Sequence, residues 1–254
     1  MGILADILAQ KRSELEELGR RRLPAPPPRR PLSLSRKPGE PLRLIAEIKH
    51  RSPSAGVLSS ALSVAERAAA YERSGARCIS VLTDSRFFDG AYEHLAAARE
   101  SAGLPLLCKD FIIDERQLDA ARAFGADAAL LIVRCLDEKD LGRLHRAARE
   151  RDLVPFVEVV SEDEARLALD VGAELVGVNT RNLDTLHMDP AHAERVLALL
   201  PSTVTRVQLS GLRSAEAVAR VAESGVDAAL IGEALMRCDD PEPLLRQMAE
   251  RAAG

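Results

Sequence analysis

The 254-residue sequence predicts an α/β fold, an eight-stranded (β/α)8 (TIM) barrel preceded by one extra N-terminal helix. Three observations support this prediction. A short motif, one glycine followed by an apolar run, recurs along the chain. Apolar runs alternate with helical stretches, and an amphipathic segment precedes the first run. We expect one domain covering residues 1–254, with the extra helix in 1–20, a connector in 21–40 and the barrel in 41–254.

The chain begins with an amphipathic segment and a connector rich in proline and arginine. Residues 3–19 place apolar side chains at helical spacing, which predicts a helix. Residues 23–31 and 33–39 are typical of a stiff, solvated and irregular connector. A nucleic-acid-binding arm is disfavoured there, because neither aromatic residues nor a basic domain accompany the arginines. The apolar stripe of the predicted helix consists of Ile3, Leu4, Ile7, Leu8, Leu15 and Leu18.

A short phrase, one glycine followed by an apolar run, occurs four times after residue 40. Each copy follows a stretch rich in alanine, glutamate and arginine. We therefore interpret the glycine as a helix C-terminal cap and the apolar run as a buried parallel strand. The four copies cover residues 75–82, 125–132, 172–178 and 225–231.

Four further apolar runs bring the strand count to eight. They cover residues 41–49, 104–109, 153–159 and 204–209, before the first phrase and between successive phrases. Eight strands at a mean spacing of about 25 residues, each followed by a helix, are the pattern of a closed barrel.

Helix starts and one missing motif support the barrel over an open sheet. The patterns Ser63-x-x-Glu66 and Ser161-x-x-Glu164 are typical of capping boxes at helix N-termini. An open doubly wound sheet usually contains a glycine-rich dinucleotide-binding turn, and the sequence has no GxGxxG motif.

Composition narrows the class of protein. Hydrophobic residues make up 46% of the chain, enough for a substantial core. The formal net charge of −4 does not favour binding to nucleic acid or to an anionic membrane. No apolar run approaches the about 18 residues of a membrane span, and the N-terminus lacks a signal-peptide core. Four scattered cysteines without a CxxC pair indicate reduced thiols and neither a disulfide framework nor a metal site. We expect a cytoplasmic protein.

Charged residues stand at the ends of predicted strands, where barrels of this kind place their active sites. Glu47 and Lys49 share one face of the first strand, with Ile45 beneath them. Such charges are costly to desolvate, so they indicate acid–base chemistry, although a partly exposed strand end with an ordinary ion pair is the alternative. Four further residues are expected at the same face: Lys109 after strand 3, Glu158 in strand 5, and Asn179 and Arg181 after strand 6.

The last two strands are followed by glycines. Loops after strands 7 and 8 are the usual phosphate site of barrels, and helices that start there aim backbone N–H groups at an anion. We therefore expect a phosphate at Ser210-Gly211 and Gly232-Glu233, with a hydroxyl from Ser52. The phenylalanines near this face favour an aromatic substrate; they are Phe87, Phe88 and Phe111.

The longest motifs resemble those of the indole-3-glycerol-phosphate synthase family. The resemblance covers about the whole chain, because that family also carries an extra N-terminal helix that leans over the barrel. The matching segments are Ile-Ala-Glu-Ile-Lys-His-Arg-Ser-Pro-Ser (45–54), Cys-Lys-Asp-Phe-Ile-Ile-Asp (108–114), Val-Glu-Val (157–159), Gly-Val-Asn-Thr-Arg-Asn-Leu (177–183), Ser-Gly (210–211) and Ile-Gly-Glu-Ala-Leu-Met (231–236).

The resemblance implies an activity. The family is a carbon–carbon lyase of tryptophan biosynthesis that closes the ring of 1-(2-carboxyphenylamino)-1-deoxyribulose 5-phosphate, with loss of carbon dioxide and water. It needs no cofactor. We therefore expect a phosphorylated small-molecule substrate, no nucleic-acid or membrane partner, and a monomer or weak homodimer.

The resemblance also implies a role for each matching residue. Lys109 would be the general acid of ring closure, and Lys49 and Glu47, with Glu158, would handle protons in the dehydration. Substrate contacts would come from Asn179 to the sugar hydroxyls, Arg181 to the carboxylate, Pro53, Phe88, Phe111 and Leu183 to the ring, and Ser52, Ser210, Gly211, Gly232 and Glu233 to the phosphate.

Two departures from the family pattern keep alternatives open. Leu209 stands where the family usually has glutamate, and His50 stands where it commonly has arginine. Loss of the glutamate motivates a second hypothesis, a catalytically weakened paralogue that binds phosphorylated ligands or partner enzymes. A third hypothesis is another phosphosugar barrel enzyme. The isomerase of phosphoribosylanthranilate lacks the long strand-1 lysine motif, whereas a Schiff-base aldolase predicts that borohydride traps substrate on Lys49 or Lys109.

Overall fold

A computed structural model of the chain describes residues 3–53, 56–180 and 189–253. Eight parallel strands form a closed barrel in which each strand pairs with its neighbours in chain order and the last strand pairs with the first. The predicted fold class is confirmed. The barrel strands are Arg43–Ile48 (β1), Cys78–Leu82 (β2), Leu106–Lys109 (β3), Ala128–Ile132 (β4), Val154–Val159 (β5), Leu175–Asn179 (β6), Thr205–Leu209 (β7) and Ala228–Ile231 (β8).

Helices cover the outside of the barrel, and one more precedes it. A two-stranded antiparallel hairpin, Arg51–Ser52 with Gly56–Val57, follows β1 and was not predicted. No helix in the described ranges is long and apolar enough to cross a membrane. The helices are Ile3–Arg20 (α1), Val64–Arg73 (α2), Ser85–Phe88 (α3), Tyr92–Ser101 (α4), Glu115–Ala123 (α5), Glu138–Glu150 (α6), Glu162–Asp170 (α7), Pro190–Leu199 (α8), Ala215–Glu223 (α9), Glu233–Met236 (α10) and Glu242–Ala252 (α11), with a 3-10 turn at Val133–Cys135.

The repeated glycines have the conformation that a helix C-terminal cap requires. Gly75, Gly125, Gly172 and Gly225 have φ values of 95°, 101°, 77° and 78°, in the left-handed region that side chains disfavour. Each glycine ends a helix, and a barrel strand begins three residues later. The interpretation of the repeated phrase is therefore correct at all four positions.

The two predicted capping boxes differ in outcome. At α2, Ser63 and Glu66 form the complete reciprocal box. At α7, the Ser161 hydroxyl accepts from the Glu164 N–H, as expected. The Glu164 carboxylate, however, accepts from the backbone N–H of Val160 at 2.7 Å, one residue before the predicted donor. The predicted cap is present there, but its reciprocal half is wrong.

The connector is irregular, as predicted, but it packs against the barrel. Leu34 is buried, and two aspartates at the amino-terminal face accept from the connector backbone. The N–H of Arg30 donates to Asp127 at 2.6 Å, and the N–H of Arg36 donates to Asp227 at 3.1 Å. The expectation of a merely solvated linker is therefore wrong for this part of the connector.

Two apolar layers make up the core. One layer lies between the strands and the outer helices. The other, which we call the inner cluster, fills the barrel interior and includes Ile45, Leu107, Phe156, Val207 and Leu230. Helix α1 adds apolar side chains to the inner cluster from above, so this helix covers the carboxyl-terminal face of the barrel. The likeness to a family with such a helix predicted this position.

Candidate active site

A cavity opens at the carboxyl-terminal ends of the barrel strands, where the sequence predicted the site. It is lined by residues from the ends of all eight barrel strands and from α1. Two predicted residues, Arg181 and Leu183, lie outside the described residues. All the other predicted site residues line the cavity: Glu47, Lys49, Ser52, Pro53, Phe88, Lys109, Phe111, Glu158, Asn179, Ser210, Gly211, Gly232 and Glu233.

The Glu47–Lys49 pair is a close ion pair inside the barrel. Lys49 Nζ lies 2.6 Å from Glu47 Oε1, and the glutamate side chain is 2% exposed. Its second oxygen, Oε2, has no hydrogen-bond partner within the described parts of the chain. Behind the strand, the hydroxyl of buried Tyr71 donates to the backbone carbonyl of Glu47 at 3.1 Å. Glu47 is thus held by one carboxylate oxygen and by its backbone carbonyl.

Gly232 makes room for this ion pair. A Cβ atom at position 232 would overlap Oε1 of Glu47 and would lie 2.9 Å from Nζ of Lys49. The backbone at the end of β8 therefore approaches both charged groups more closely than any residue with a side chain allows.

Lys109 belongs to a second chain of polar contacts across β3, β5, β6 and β7. Lys109 Nζ lies 3.2 Å from Oε2 of Glu158, whose other oxygen accepts from Asn179 Nδ2 at 2.9 Å. Ser210 Oγ in turn donates to Asn179 Oδ1 at 2.7 Å. Because the amide oxygen of Asn179 accepts from the Ser210 hydroxyl, its amide nitrogen is directed toward the Glu158 carboxylate. Both oxygens of Glu158 are held in this way.

The charge environment of Lys109 favours its protonated form. Burial alone would lower the pKa of the ammonium, but the nearby carboxylates of Glu158 and Glu47 outweigh burial and raise it above its ordinary value. Lys109 is therefore a cation throughout the neutral range.

A third charged cluster was missed at the level of sequence. Lys11 of α1 is 3% exposed, and its ammonium lies 2.8 Å from Asp110 and 2.9 Å from Asp84. Asp110 also accepts from the hydroxyl of Thr83 at 2.6 Å. Since Asp110 follows Lys109 directly, this cluster holds α1 against the end of β3, the strand that carries Lys109. One signal was present: position 11 continues the apolar stripe of α1 at a spacing of four residues from Ile7.

Apolar side chains form the opposite wall. The rings of Phe88 and Phe111 lie 6.0 Å apart, and both line the cavity. Ile3, Leu4 and Ile7 of α1 close it from above. Phe87 packs on the inner cluster and is not part of the wall. The cavity is therefore apolar on one side and polar on the other.

The loops after β7 and β8 form the remaining end of the cavity. Ser210 and Gly211 both have positive φ values, 62° and 86°, so the chain turns sharply with its backbone at the cavity surface. Helix α10 begins directly after Gly232, which provides no side-chain cap. The carboxylate of Glu233 pairs with Arg237 at 3.0 Å. The backbone at this end, and not that carboxylate, is suited to an anion.

The two residues that depart from the family pattern have clear surroundings. Leu209 is 2% exposed and belongs to the inner cluster, and its side chain fills the space above Gly177. His50 packs edge-on against His94, with ring centroids 5.0 Å apart. The pKa of His50 is lowered by burial and by the charge of Arg67.

Fold and site together define a class, a (β/α)8-barrel enzyme with acid–base residues at the carboxyl-terminal face. Comparison with known proteins is more specific. The model of the family "Indole-3-glycerol phosphate synthase" matches residues 4–248, and the chain belongs to this family. An indole-3-glycerol phosphate synthase of Exiguobacterium sp. strain AT1b is 44% identical over 222 residues, which are 87% of each chain. That of Nocardioides sp. strain JS614 is 43% identical over 257 aligned positions and 98% of each chain.

Solved structures support the fold alone. The 3-hexulose-6-phosphate synthase of Salmonella typhimurium superposes with a TM-score of 0.67 at 17% identity, covering 83% of this chain and 98% of that one. The thiamine phosphate pyrophosphorylase of Pyrococcus furiosus superposes with a TM-score of 0.64 at 16% identity, covering 85% and 98%.

Proposed function

We propose that the protein is a cytoplasmic carboxy-lyase of tryptophan biosynthesis. It converts 1-(2-carboxyphenylamino)-1-deoxyribulose 5-phosphate into indole-3-glycerol phosphate, carbon dioxide and water. One observation carries the proposal: two ammonium–carboxylate pairs, Lys109–Glu158 and Lys49–Glu47, face one cavity whose opposite wall is apolar. Membership of the synthase family supports it, and four free cysteines fit a reducing compartment.

The first step is ring closure. The ring carbon that bears the carboxylate attacks the ketone carbon, and the ketone oxygen needs a proton as negative charge develops on it. Lys109 supplies that proton, because its raised pKa keeps it charged until the transition state requires the transfer. Loss of carbon dioxide from the same ring carbon then leaves a hydroxyl on the former ketone carbon.

The second part is dehydration. The hydroxyl leaves the former ketone carbon as water with a proton from an acid, and a base removes one proton from the neighbouring methylene carbon, which forms the double bond that completes the indole. The Lys49–Glu47 pair is suited to this exchange, since Glu47 Oε2 has no hydrogen-bond partner in the described residues. Glu158, held by Asn179, stabilises the positive charge that develops on the nitrogen side of the intermediate.

Binding groups flank this chemistry. The aromatic ring lies against Phe88, Phe111 and Pro53, and Asn179 reaches the sugar hydroxyls. The phosphate lies at Ser52, Ser210-Gly211 and Gly232-Glu233, where backbone groups face the cavity. Arg181, as a partner for the substrate carboxylate, and Leu183, on the ring, remain predictions outside the described residues.

A direct assay tests the proposal. Purified protein is given the carboxyphenylamino-deoxyribulose phosphate, and indole fluorescence and carbon dioxide are followed. We expect both products in equal amounts, and their loss in Lys109→Met. Binding without turnover would contradict the synthase function and support a phospholigand-binding paralogue. Borohydride treatment is the second arm, because a substrate adduct on Lys49 or Lys109 would indicate aldolase chemistry.

A further inference from the structure

One buried charge has no place in the chemistry above. Arg67 lies in α2 and is 1% exposed, which is rare for arginine without a carboxylate partner. Within residues 3–53, 56–180 and 189–253, no carboxylate lies within ion-pair distance of its guanidinium, and its Nε atom has no hydrogen-bond partner. A buried unpaired cation is costly, so this side chain requires an explanation.

The guanidinium faces the carboxyl end of α10. Arg67 Nη1 donates to the carbonyl of Leu235 at 3.1 Å, and both Nη atoms donate to the carbonyl of Cys238 at 3.3 Å. Leu235 is in the last turn of α10, and Cys238 follows its end. Arg67 therefore places a positive charge on the negative end of this helix dipole.

The other end of the same helix lies at the proposed phosphate site. Helix α10 spans only Glu233–Met236, about 6 Å along its axis at 1.5 Å per residue. An anion at Gly232 is thus so close that the negative end of the helix would repel it. A cation on that end removes the repulsion and adds its own attraction through a low-dielectric interior.

Arg67 also belongs to the packing behind the catalytic strand. Tyr71, one helical turn further along α2, donates to the carbonyl of Glu47 and contacts the sulfur of Met236 in α10. Helix α2 therefore fixes the positions of both β1 and α10. The charge of Arg67 also reaches the residue after Lys49, because, after burial, it contributes to the lowered pKa of His50.

We propose that Arg67 is a positioning residue for the substrate phosphate: it holds the carboxyl end of α10 and supplies the buried positive charge that a phosphate at Gly232 balances. This inference rests on the phosphate site of the proposed function. The titratable groups that interact with the guanidinium are Tyr71 of α2 and His50, and Glu47 and Cys238 act in turn on Tyr71.

Inorganic phosphate is used as the probe. Its inhibition constant for turnover is measured together with kcat and KM. Arg67→Met and Arg67→Gln remove the charge, and Gln keeps a donor for the carbonyls. We expect the phosphate inhibition constant and KM to rise about tenfold in both variants, with kcat changed by less than about threefold. The matched control is Arg30→Met, because Arg30 also donates to carbonyls at a helix end, those of Arg99 and Ala102 at α4. It should lower the melting temperature and leave phosphate inhibition unchanged.

Arg67→Lys separates charge from structure. Burial lowers the pKa of a lysine, so the introduced ammonium loses its proton as pH rises, whereas arginine does not. The phosphate affinity of this variant is divided by that of the wild type at each pH, so that the ionisation of phosphate cancels. This ratio should be near one at pH about 6 and should fall toward pH about 9. The pKa of His50, followed by NMR, should rise in Arg67→Met and stay unchanged in Arg30→Met.

The outcomes are separable. Unchanged phosphate inhibition in the folded Met or Gln variant overturns the role of Arg67 and leaves the synthase proposal intact. A Lys variant that binds phosphate as weakly at pH about 6 as at pH about 9 also overturns it, and this result is obtained even if the other variants fail to fold. If the wild type is not inhibited by phosphate at all, the phosphate site and the role of Arg67 are both wrong.

Discussion

Lys109 and Glu158 lie on different strands of the barrel, β3 and β5, and their charged atoms are 3.2 Å apart. The strand between them, β4, contributes no charged group to this contact. Because both side chains point into the barrel, their separation is fixed by the register of three parallel strands and not by a flexible loop. Such a pair keeps its geometry while substrate enters and product leaves.

Replacing Glu158 with Gln should impair catalysis and shift its pH dependence. The amide keeps the contact with Asn179 but removes the carboxylate that, after burial, affects Lys109 most, so the pKa of Lys109 falls. We expect kcat to drop about 100-fold or more and its alkaline limb to move to lower pH. The measurement is a pH–kcat profile. Asp163→Asn, an exposed carboxylate-to-amide change in α7, should leave both kcat and profile unchanged.

The stability effect of Lys109 has the opposite dependence from that of a carboxylate. Its folded-state pKa is raised, so its contribution to stability is complete below the unfolded pKa of about 10.4 and is lost as pH rises through the folded pKa.

If the alkaline limb of the pH–kcat profile stayed in place in Glu158→Gln, the result would show that Lys109 and Glu158 are not coupled.

Gly232→Ala should damage the site without unfolding the barrel. The added methyl overlaps Glu47 Oε1, so the end of this buried side chain must shift away from its position beside Lys49. We expect the Glu47–Lys49 pair to separate and kcat to fall about 100-fold, while the melting temperature changes little. Steady-state kinetics and thermal unfolding measure this.

The matched control is Gly142→Ala in α6. The nearest atoms to a Cβ at Gly142 lie 3.5 Å or more away, and alanine is the better helix former. This variant should be as active as the wild type and slightly more stable. Equal activity of Gly232→Ala and Gly142→Ala would contradict the role of Gly232.

Lys11→Met should destabilise the protein strongly. It leaves Asp84 and Asp110 buried side by side without their shared cation. Removing one partner of a buried ion pair costs about 3–5 kcal/mol, and we expect a loss of at least about 3 kcal/mol in the free energy of unfolding by urea. Lys139→Met, at an exposed position of α6, should change it by less than about 0.5 kcal/mol. Similar stability of the two variants would show that the cluster does not hold α1.

The elements that sequence could predict are those with a repeated local cause. A glycine that must adopt positive φ, followed by an apolar run, has the same local physics in all four copies, and each copy gave a strand. The strand-end charges were also predictable, because alternation fixes which face a side chain occupies. For this reason the sequence brings Glu47, Lys49, Lys109, Glu158 and Asn179 to one end of the barrel, where the structure shows them lining one cavity.

What sequence missed depends on partners distant along the chain. Lys11 continues the apolar stripe of α1, but the sequence does not reveal that Asp110 is its partner, nor that Arg67 reaches the carbonyl of Leu235. The connector was expected to be solvated because Asp127 and Asp227, which hold it, lie about 100 and 190 residues further along. No local pattern contains this information.

Acid should weaken the fold partly through His50 and His94. Burial lowers the pKa of both histidines. A neighbouring positive charge lowers it further in each case, that of Arg67 for His50 and that of His50 for His94. Asp89 and Glu93 oppose these shifts only partly. Because the folded state binds fewer protons, stability is complete above about pH 6.5 and is lost as pH falls toward the folded values.

His94→Gln should therefore reduce the loss of stability in acid. We expect the difference in unfolding free energy between neutral pH and pH about 5 to shrink by roughly a third, since His145 also has a lowered pKa and still contributes. Urea unfolding at the two pH values measures it. In the double variant with His50→Gln the difference should shrink further. A variant with the wild-type difference would exclude the histidine pair as a source of acid sensitivity.

Leu209→Glu decides whether the missing carboxylate limits the enzyme. Leu209 lies in the inner cluster against Phe156 and above Gly177, so a carboxylate there is desolvated. We expect stability to fall by about 2 kcal/mol and kcat/KM not to exceed that of the wild type, because Lys109, Glu158 and the Glu47–Lys49 pair are complete without it. Leu209→Met, which conserves volume, should match the wild type in both respects. The weakened-paralogue hypothesis requires the reverse, a wild type that binds phosphorylated ligand without turnover and a glutamate variant that gains it. The same two assays, indole fluorescence and urea unfolding, separate these outcomes.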